Sequence, residues 1–140
     1  METNEPQAIY SRYKSKLSDP ATIVFSAQKG VSAKIFDDVV KLFGNTDYMA
    51  EVVELTQKTI NKYRTQNIKF SPIRSEIMLK LIALYQKGVS IFGNRDAFIS
   101  WLSKPSFGIG GHIPLDLVKT SDGIDLITDE LDRIQYGDTA

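Results

Sequence analysis

Three observations predict an all-α fold. Apolar residues recur at helical spacing through most of the chain. Helix start and stop signals such as Ser71-Pro72, Gly44-Asn45 and Gly93-Asn94 bound those runs. Connections are short, with no internal repeat and no low-complexity linker. One short β element is expected beside the helices, near the N-terminus.

The elements follow in order. Tyr10 to Leu17 reads as a short helix. ATIVFSAQ, residues 21–28, carries Ile23, Val24 and Phe25 after Pro20 and reads as the β element or an extended arm. Ile35, Phe36, Val39, Val40 and Phe43 then place an apolar stripe on one helix face, which Gly44-Asn45 ends. A second helix is expected over about Asp47–Val53. A third follows Thr56, with Ile60 and Tyr63 turned inward. Ser71 and Pro72 are the N-cap and first residue of a long helix. Its stripe is Ile73, Ile77, Leu81, Leu84 and Tyr85, and it runs on to Phe92 with Gly88 as a weak point. Residues 95–103 form a helix packing Ala97, Phe98, Trp101 and Leu102. Pro114 starts a short helix, PLDLVK, and a last helix aligns Ile124, Ile127, Leu131 and Ile134.

Composition bounds the function. The chain has 140 residues, 24% charged and 42% apolar, as in a soluble globular protein of one domain or two small ones. No apolar run approaches the ~20 residues that span a bilayer, and METNEPQAIY lacks the apolar core of a secretory signal. The absence of cysteine excludes disulfides, thiol catalysis and cysteine-based zinc sites, and the expected compartment is the cytoplasm. Net charge is zero but unevenly spread. In residues 56–80, Lys58, Lys62, Arg64, Lys69, Arg74 and Lys80 stand against Glu76, a net of +5. In residues 113–140, six aspartates and Glu130 stand against Lys119 and Arg133, a net of −5. A basic middle suits a polyanion and an acidic end suits a basic surface, although solvated helix faces carry such runs too.

No catalytic constellation emerges. SKPSFGIGGHIPLDL, residues 103–117, gathers Gly108, Gly110, Gly111, Pro105, Pro114 and the sole histidine, His112. It matches neither GxxxxGK[ST] nor a GxGxxG set between strand and helix. His112 has no orienting partner or nucleophile nearby in sequence. No ligand cluster has metal spacing, and Asp122-Gly123-Ile124-Asp125 lacks the EF-hand pattern. A binding protein without cofactor or metal is expected rather than an enzyme. The prolines and glycines read as punctuation. Pro105 ends one helix, Gly110-Gly111 turn the chain and Pro114 starts the next, with Gly108 loosening the loop.

Residues 46–63, TDYMAEVVELTQKTINKY, fit the spacing A-x3-G-[apolar]-[ST]-x2-[ST]-[IV] of a helix-turn-helix. Ala50 is the small residue at the helix crossing, Val53 and Leu55 flank the turn, and Thr56 caps the second helix. Glu54 stands where glycine is usual, at a cost of about 1 kcal/mol in a left-handed turn. Gln57, Lys58, Thr59, Asn61, Lys62 and Arg64 are left as the candidate DNA-contacting set. Amides read adenine edges, and Lys, Arg and Thr bind phosphate or guanine. The same spacing also suits a plain helical hairpin.

The second half carries a longer pattern. Phe92-Gly93, Ala97, Trp101-Leu102, Pro105, Gly110-Gly111, Pro114-Leu115-Asp116-Leu117, Thr120, Gly123, Leu131, Ile134 and Tyr136-Gly137 stand in one order. This resembles the signature of the Xre/MbcA/ParS antitoxins, which pair with RES-domain toxins. The likeness covers roughly residues 30–137. It implies a Cro/Xre-like helix-turn-helix followed by a small helical toxin-binding domain. The division is then an N-terminal arm over 1–29, a helix-turn-helix region over 30–70, and a toxin-binding and dimerisation domain over 71–140. It further implies a type II toxin–antitoxin system in which a homodimer represses its own operon by binding operator DNA. The C-terminal region would block the active site of an NAD-consuming toxin, one that degrades NAD or transfers ADP-ribose. A dinucleotide pocket presents basic groups that an acidic end complements. Arg133, Gln135, Tyr136, Gly137 and Asp138 are the candidate toxin-binding residues, with Tyr136 as an amphipathic anchor or as simple packing. Trp101 and Leu102 read as core. The alternative is a stand-alone transcriptional regulator whose C-terminal half only dimerises.

Overall fold

Residues 5–137 are described by the computed structural model, and among them every regular element is helical. In order these are α1 (Glu5–Tyr13), α2 (Pro20–Lys29), α3 (Lys34–Phe43), α4 (Thr46–Val52), α5 (Gln57–Gln66), α6 (Pro72–Phe92), α7 (Arg95–Leu102) and α8 (Ser121–Tyr136). Short 3-10 turns occupy Lys14–Lys16, Phe107–Ile109 and Pro114–Leu117. The chain divides into two compact units, Met1–Ala83 and Leu84–Ala140. No described helix is long and apolar enough to cross a membrane.

The expected β element at 21–28 is instead helix α2, and local chemistry explains why. The Asp19 carboxylate accepts from the Thr22 N–H at 2.8 Å, and Pro20 takes the first helical position. Gly30, at φ 80°, ends the helix. Caps at both ends outweigh the β preference of Ile23, Val24 and Phe25, which is a weak prior. The Tyr10–Leu17 helix is also shifted: α1 begins at Glu5 and gives way after Tyr13 to a 3-10 turn.

In the first unit, α3 buries Ile35, Phe36, Val39, Leu42 and Phe43. It also buries Asp38, whose oxygens accept from Arg12 Nη2 at 2.7 Å and Tyr13 Oη at 2.5 Å. Residues before 30 are thereby tied to α3 by a buried polar cluster. Beyond α3, Asn45 turns left-handed at φ 52° and its side chain accepts from the Tyr48 N–H at 3.0 Å, capping α4. Phe70 and Val31 are joined by a backbone bond of 2.9 Å. Buried Ser75 closes that junction, its hydroxyl accepting from Val31 N–H at 3.0 Å and donating to Phe70 C=O at 3.2 Å. Ser71 caps α6, accepting from the Arg74 N–H at 3.3 Å. Ile73, expected on the inward stripe, is exposed; Met78, Leu79 and Ile82 are buried along with Ile77 and Leu81. A helix apolar on nearly all sides defeats a single-stripe reading.

In the second unit, Tyr85, Phe92, Phe98 and Trp101 form one aromatic cluster, with ring centroids 5.6 to 6.4 Å apart. Gly88, expected as a weak point, is required there: a Cβ would lie 2.2 Å from the Phe98 ring. The Asn94 side chain caps α7 through the Ala97 N–H at 2.8 Å. Thr120 caps α8 through the Gly123 N–H at 3.0 Å, and Ile124, Ile127 and Leu131 turn inward. Leu102 is buried and Trp101 half-buried, as core residues at this spacing. The expected PLDLVK helix is a single 3-10 turn over Pro114–Leu117.

Candidate functional site

The loop between α7 and α8 is a built structure rather than slack chain. Ser106 N–H donates to His112 C=O at 2.9 Å, and Gly111 N–H returns a bond to Ser106 C=O at 2.9 Å. Gly110 and Gly111, at φ 72° and 79°, make the reversal between these bonds. Ile109 is buried beneath the loop, while Phe107 is thrust outward, 98% exposed. His112 lies exposed on the loop's far strand of chain.

Gly108 was expected to loosen this loop. Instead it makes room for a carboxylate, since a Cβ there would fall 2.0 Å from Glu130 Oε2. Glu130 lies on α8 and is 2% exposed. Arg133, one turn on, donates to Glu130 Oε1 from Nε at 2.8 Å and approaches it with Nη2 at 2.7 Å. The pair is charge-assisted, and it fixes the guanidinium. Ser106, Phe107, Gly108, Glu130, Arg133 and Ile134 together line an open groove of about 460 Å³.

Downstream, Gln135, Tyr136 and Gly137 are exposed, with Tyr136 at 73% and Gly137 ending α8 at φ 76°. Asp138 lies outside the described residues. The exposed side of α8 carries Asp122, Asp125 and Asp129. Arg133, a toxin-binding candidate from the sequence, lines this groove, whereas Phe107 and Glu130 were not named as candidates. An acid three residues before Arg133 was a readable signal. Phe107 gave none, because a lone phenylalanine among small residues reads equally well as core.

The first unit presents a second candidate surface. Between α4 and α5, Glu54 is left-handed at φ 56°. Leu55 N–H bonds to Ala50 C=O at 3.1 Å and Glu54 N–H to Glu51 C=O at 3.0 Å, the paired bonds of a Schellman ending. Arg74 braces the turn, donating from Nε to Val53 C=O at 2.7 Å. Thr56 caps α5 through the Thr59 N–H at 3.1 Å, and its hydroxyl donates to Thr59 Oγ at 3.0 Å. Ile60 is buried and Tyr63 sits 5.4 Å from the Phe70 ring. Gln57, Lys58, Asn61 and Lys62 are exposed along α5, with Thr59 half-buried. Arg64 is placed differently. Its Nε and Nη2 grip the Asp37 carboxylate at 2.7 to 3.2 Å, and that hydrogen-bonded acid raises the guanidinium pKa further.

Residues 87–137 match the family described as the antitoxin Xre/MbcA/ParS C-terminal toxin-binding domain. This part of the chain is similar to that toxin-binding domain. The Xre/MbcA/ParS match takes in α7, the loop with Phe107, the groove and all of α8. Two curated relatives are similar across nearly the whole chain. One, named antitoxin Xre, from Yersinia enterocolitica, is 24% identical over 94% of this chain and 90% of its own length. The other, named Prs ADP-ribosylating antitoxin, from a Sphingobium species, is 28% identical over 94% of this chain and 87% of its own length.

Proposed function

We propose that this chain is the antitoxin of a type II toxin–antitoxin pair and that its C-terminal unit binds and occludes the active site of a RES-type, NAD-consuming toxin. The observation that carries this is the match of residues 87–137 to a toxin-binding domain. Three features of that unit support it. Gln135, Tyr136 and Gly137 are exposed at the end of α8. Arg133 is oriented by a buried acid rather than free to wander. The exposed aspartates of α8 complement the basic lining that a pyrophosphate pocket needs. The Sphingobium relative's name joins antitoxin to ADP-ribosylation, which favours an NAD-using partner here.

We further propose that α4 and α5 act as a helix-turn-helix that represses the operon as a homodimer on operator DNA. The Schellman turn at Glu54 and the exposed Gln57, Lys58, Asn61 and Lys62 on α5 support that reading. Arg64 would join only by exchanging Asp37 for phosphate. One experiment tests both parts. The protein encoded beside this chain is expressed alone, with the full chain, and with a chain cut after Leu131. Toxicity alone, rescue by the full chain, and loss of rescue with retained operator shift for the cut chain are expected. Persistent toxicity with the full chain refutes the antitoxin reading, and rescue by the cut chain refutes the tail's role.

A further inference from the structure

We infer that Phe107 is the apolar anchor by which the C-terminal unit seats on its partner, and that the matching surface is a basic face of the toxin bearing an apolar pocket. This rests on the antitoxin reading and names the chemistry of the surface that reading requires. It also moves the centre of the interface from the tail to the loop.

Phe107 is 98% exposed, so its ring contributes nothing to the core. Yet the backbone that carries it is closely tied. Its own C=O accepts from Gly110 N–H at 3.1 Å, and the Ser106–His112 and Gly111–Ser106 bonds close the loop on both sides. Buried Ser106 and Ile109 flank it and hold the turn to the unit. An aromatic ring on an ordered loop can be buried by a partner with little ordering cost, and that is what makes a strong anchor. A phenylalanine brings some ~150–200 Å² of surface to such a contact. The ring borders the groove containing Glu130 and Arg133, so an apolar pocket taking Phe107 would meet a fixed charge pair beside it.

Charge selects the occupant. Asp122, Asp125 and Asp129 are exposed on α8, the helix that forms the other wall of the groove. Two copies brought together along α8 would oppose these aspartates to one another, and an anionic membrane would be repelled in the same way. A basic protein surface has the complementary sign. Phe107 and Tyr136, 73% exposed, then stand as two aromatic contacts of the same unit, with the charged groups available to set register.

The test uses the full chain and the purified neighbouring gene product, inactivated so that it can be produced. Affinity is measured by calorimetry for the unaltered chain, Phe107→Ala and Phe107→Leu. We expect Phe107→Ala to weaken binding about 30-fold or more and Phe107→Leu to keep most of the affinity. Far-UV circular dichroism and thermal unfolding of both variants should match the unaltered chain, which separates a lost anchor from a lost fold. Tight binding by the unaltered chain with Phe107→Ala within about threefold overturns this inference alone. So does a change in self-association of Phe107→Ala, by sedimentation, with toxin affinity unchanged. No binding by the unaltered chain overturns the antitoxin reading and this one with it.

Discussion

Arg12→Ala is expected to be more damaging than its position on a partly exposed helix suggests. Asp38 is 0% exposed on α3, and its two oxygens have Arg12 and Tyr13 as partners. The Arg12 side chain is 41% exposed. Removing one partner of a fully buried ion pair typically costs about 3–5 kcal/mol, because a charge is left in low dielectric. Arg12 reaches water, so solvent can enter where it stood, and about 2–4 kcal/mol is the scaled expectation. Asp38→Ala leaves a different defect. The buried Tyr13 hydroxyl loses its acceptor, at about 1–3 kcal/mol, while Arg12 simply returns to solvent. Arg12→Ala should therefore be the worse of the two, and the double variant should recover much of its loss. Urea unfolding followed by circular dichroism measures all three. A loss below about 1 kcal/mol for Arg12→Ala, or strictly additive losses in the double variant, would refute the buried-charge account.

The same cluster makes a pH prediction. Burial first, then the bond to Asp38 and its charge, raise the Tyr13 pKa above its ordinary value of 10.0. The unfolded phenol ionises near pH 10 while the folded one keeps its proton, so the folded state binds more protons there. Stability from this group is complete below pH 10 and falls as pH rises beyond it. Tyr13→Phe should flatten that alkaline decline.

Two further substitutions test backbone and packing. Glu54→Gly should raise stability by about 0.5–1 kcal/mol in urea unfolding, since glycine relieves the left-handed strain at φ 56° but gains unfolded-state entropy; a loss would mean the Glu54 side chain matters to the turn. Gly88→Ala should lower stability by about 1–2 kcal/mol, the overlap with Phe98 outweighing the better helix propensity of alanine. Adding Phe98→Leu should return part of that loss, and a stabilised single variant would show the ring free to move.

The helical class and most helix ends were legible because their causes are local. Thr56 and Ser71 sit at caps where side chain and N–H lie three residues apart. The α3 stripe was legible for the same reason, its period being a property of one helix. At 20–29 the β preference of three β-branched or aromatic residues points away from the helix that the Asp19 cap and Pro20 start. What stayed hidden was long-range. Arg12 and Asp38 are 26 residues apart, and nothing in either neighbourhood announces the other. Gly88 read as a defect because the ring it accommodates lies in the next helix.

The loop at 103–117 shows how the two kinds of information combine at the candidate site. Two of its glycines, Gly110 and Gly111, do what a sequence reader assigns to glycine, turning the chain at positive φ. The third does something a sequence cannot express, since Gly108 leaves the space in which a carboxylate from α8 lies. That carboxylate in turn fixes Arg133, the first residue of the proposed toxin-facing tail. A side chain at position 108 would displace Glu130 and with it the orientation of Arg133. The loop and the tail therefore form one device, in which the chain's smallest residue sets the direction of a charge 25 positions later.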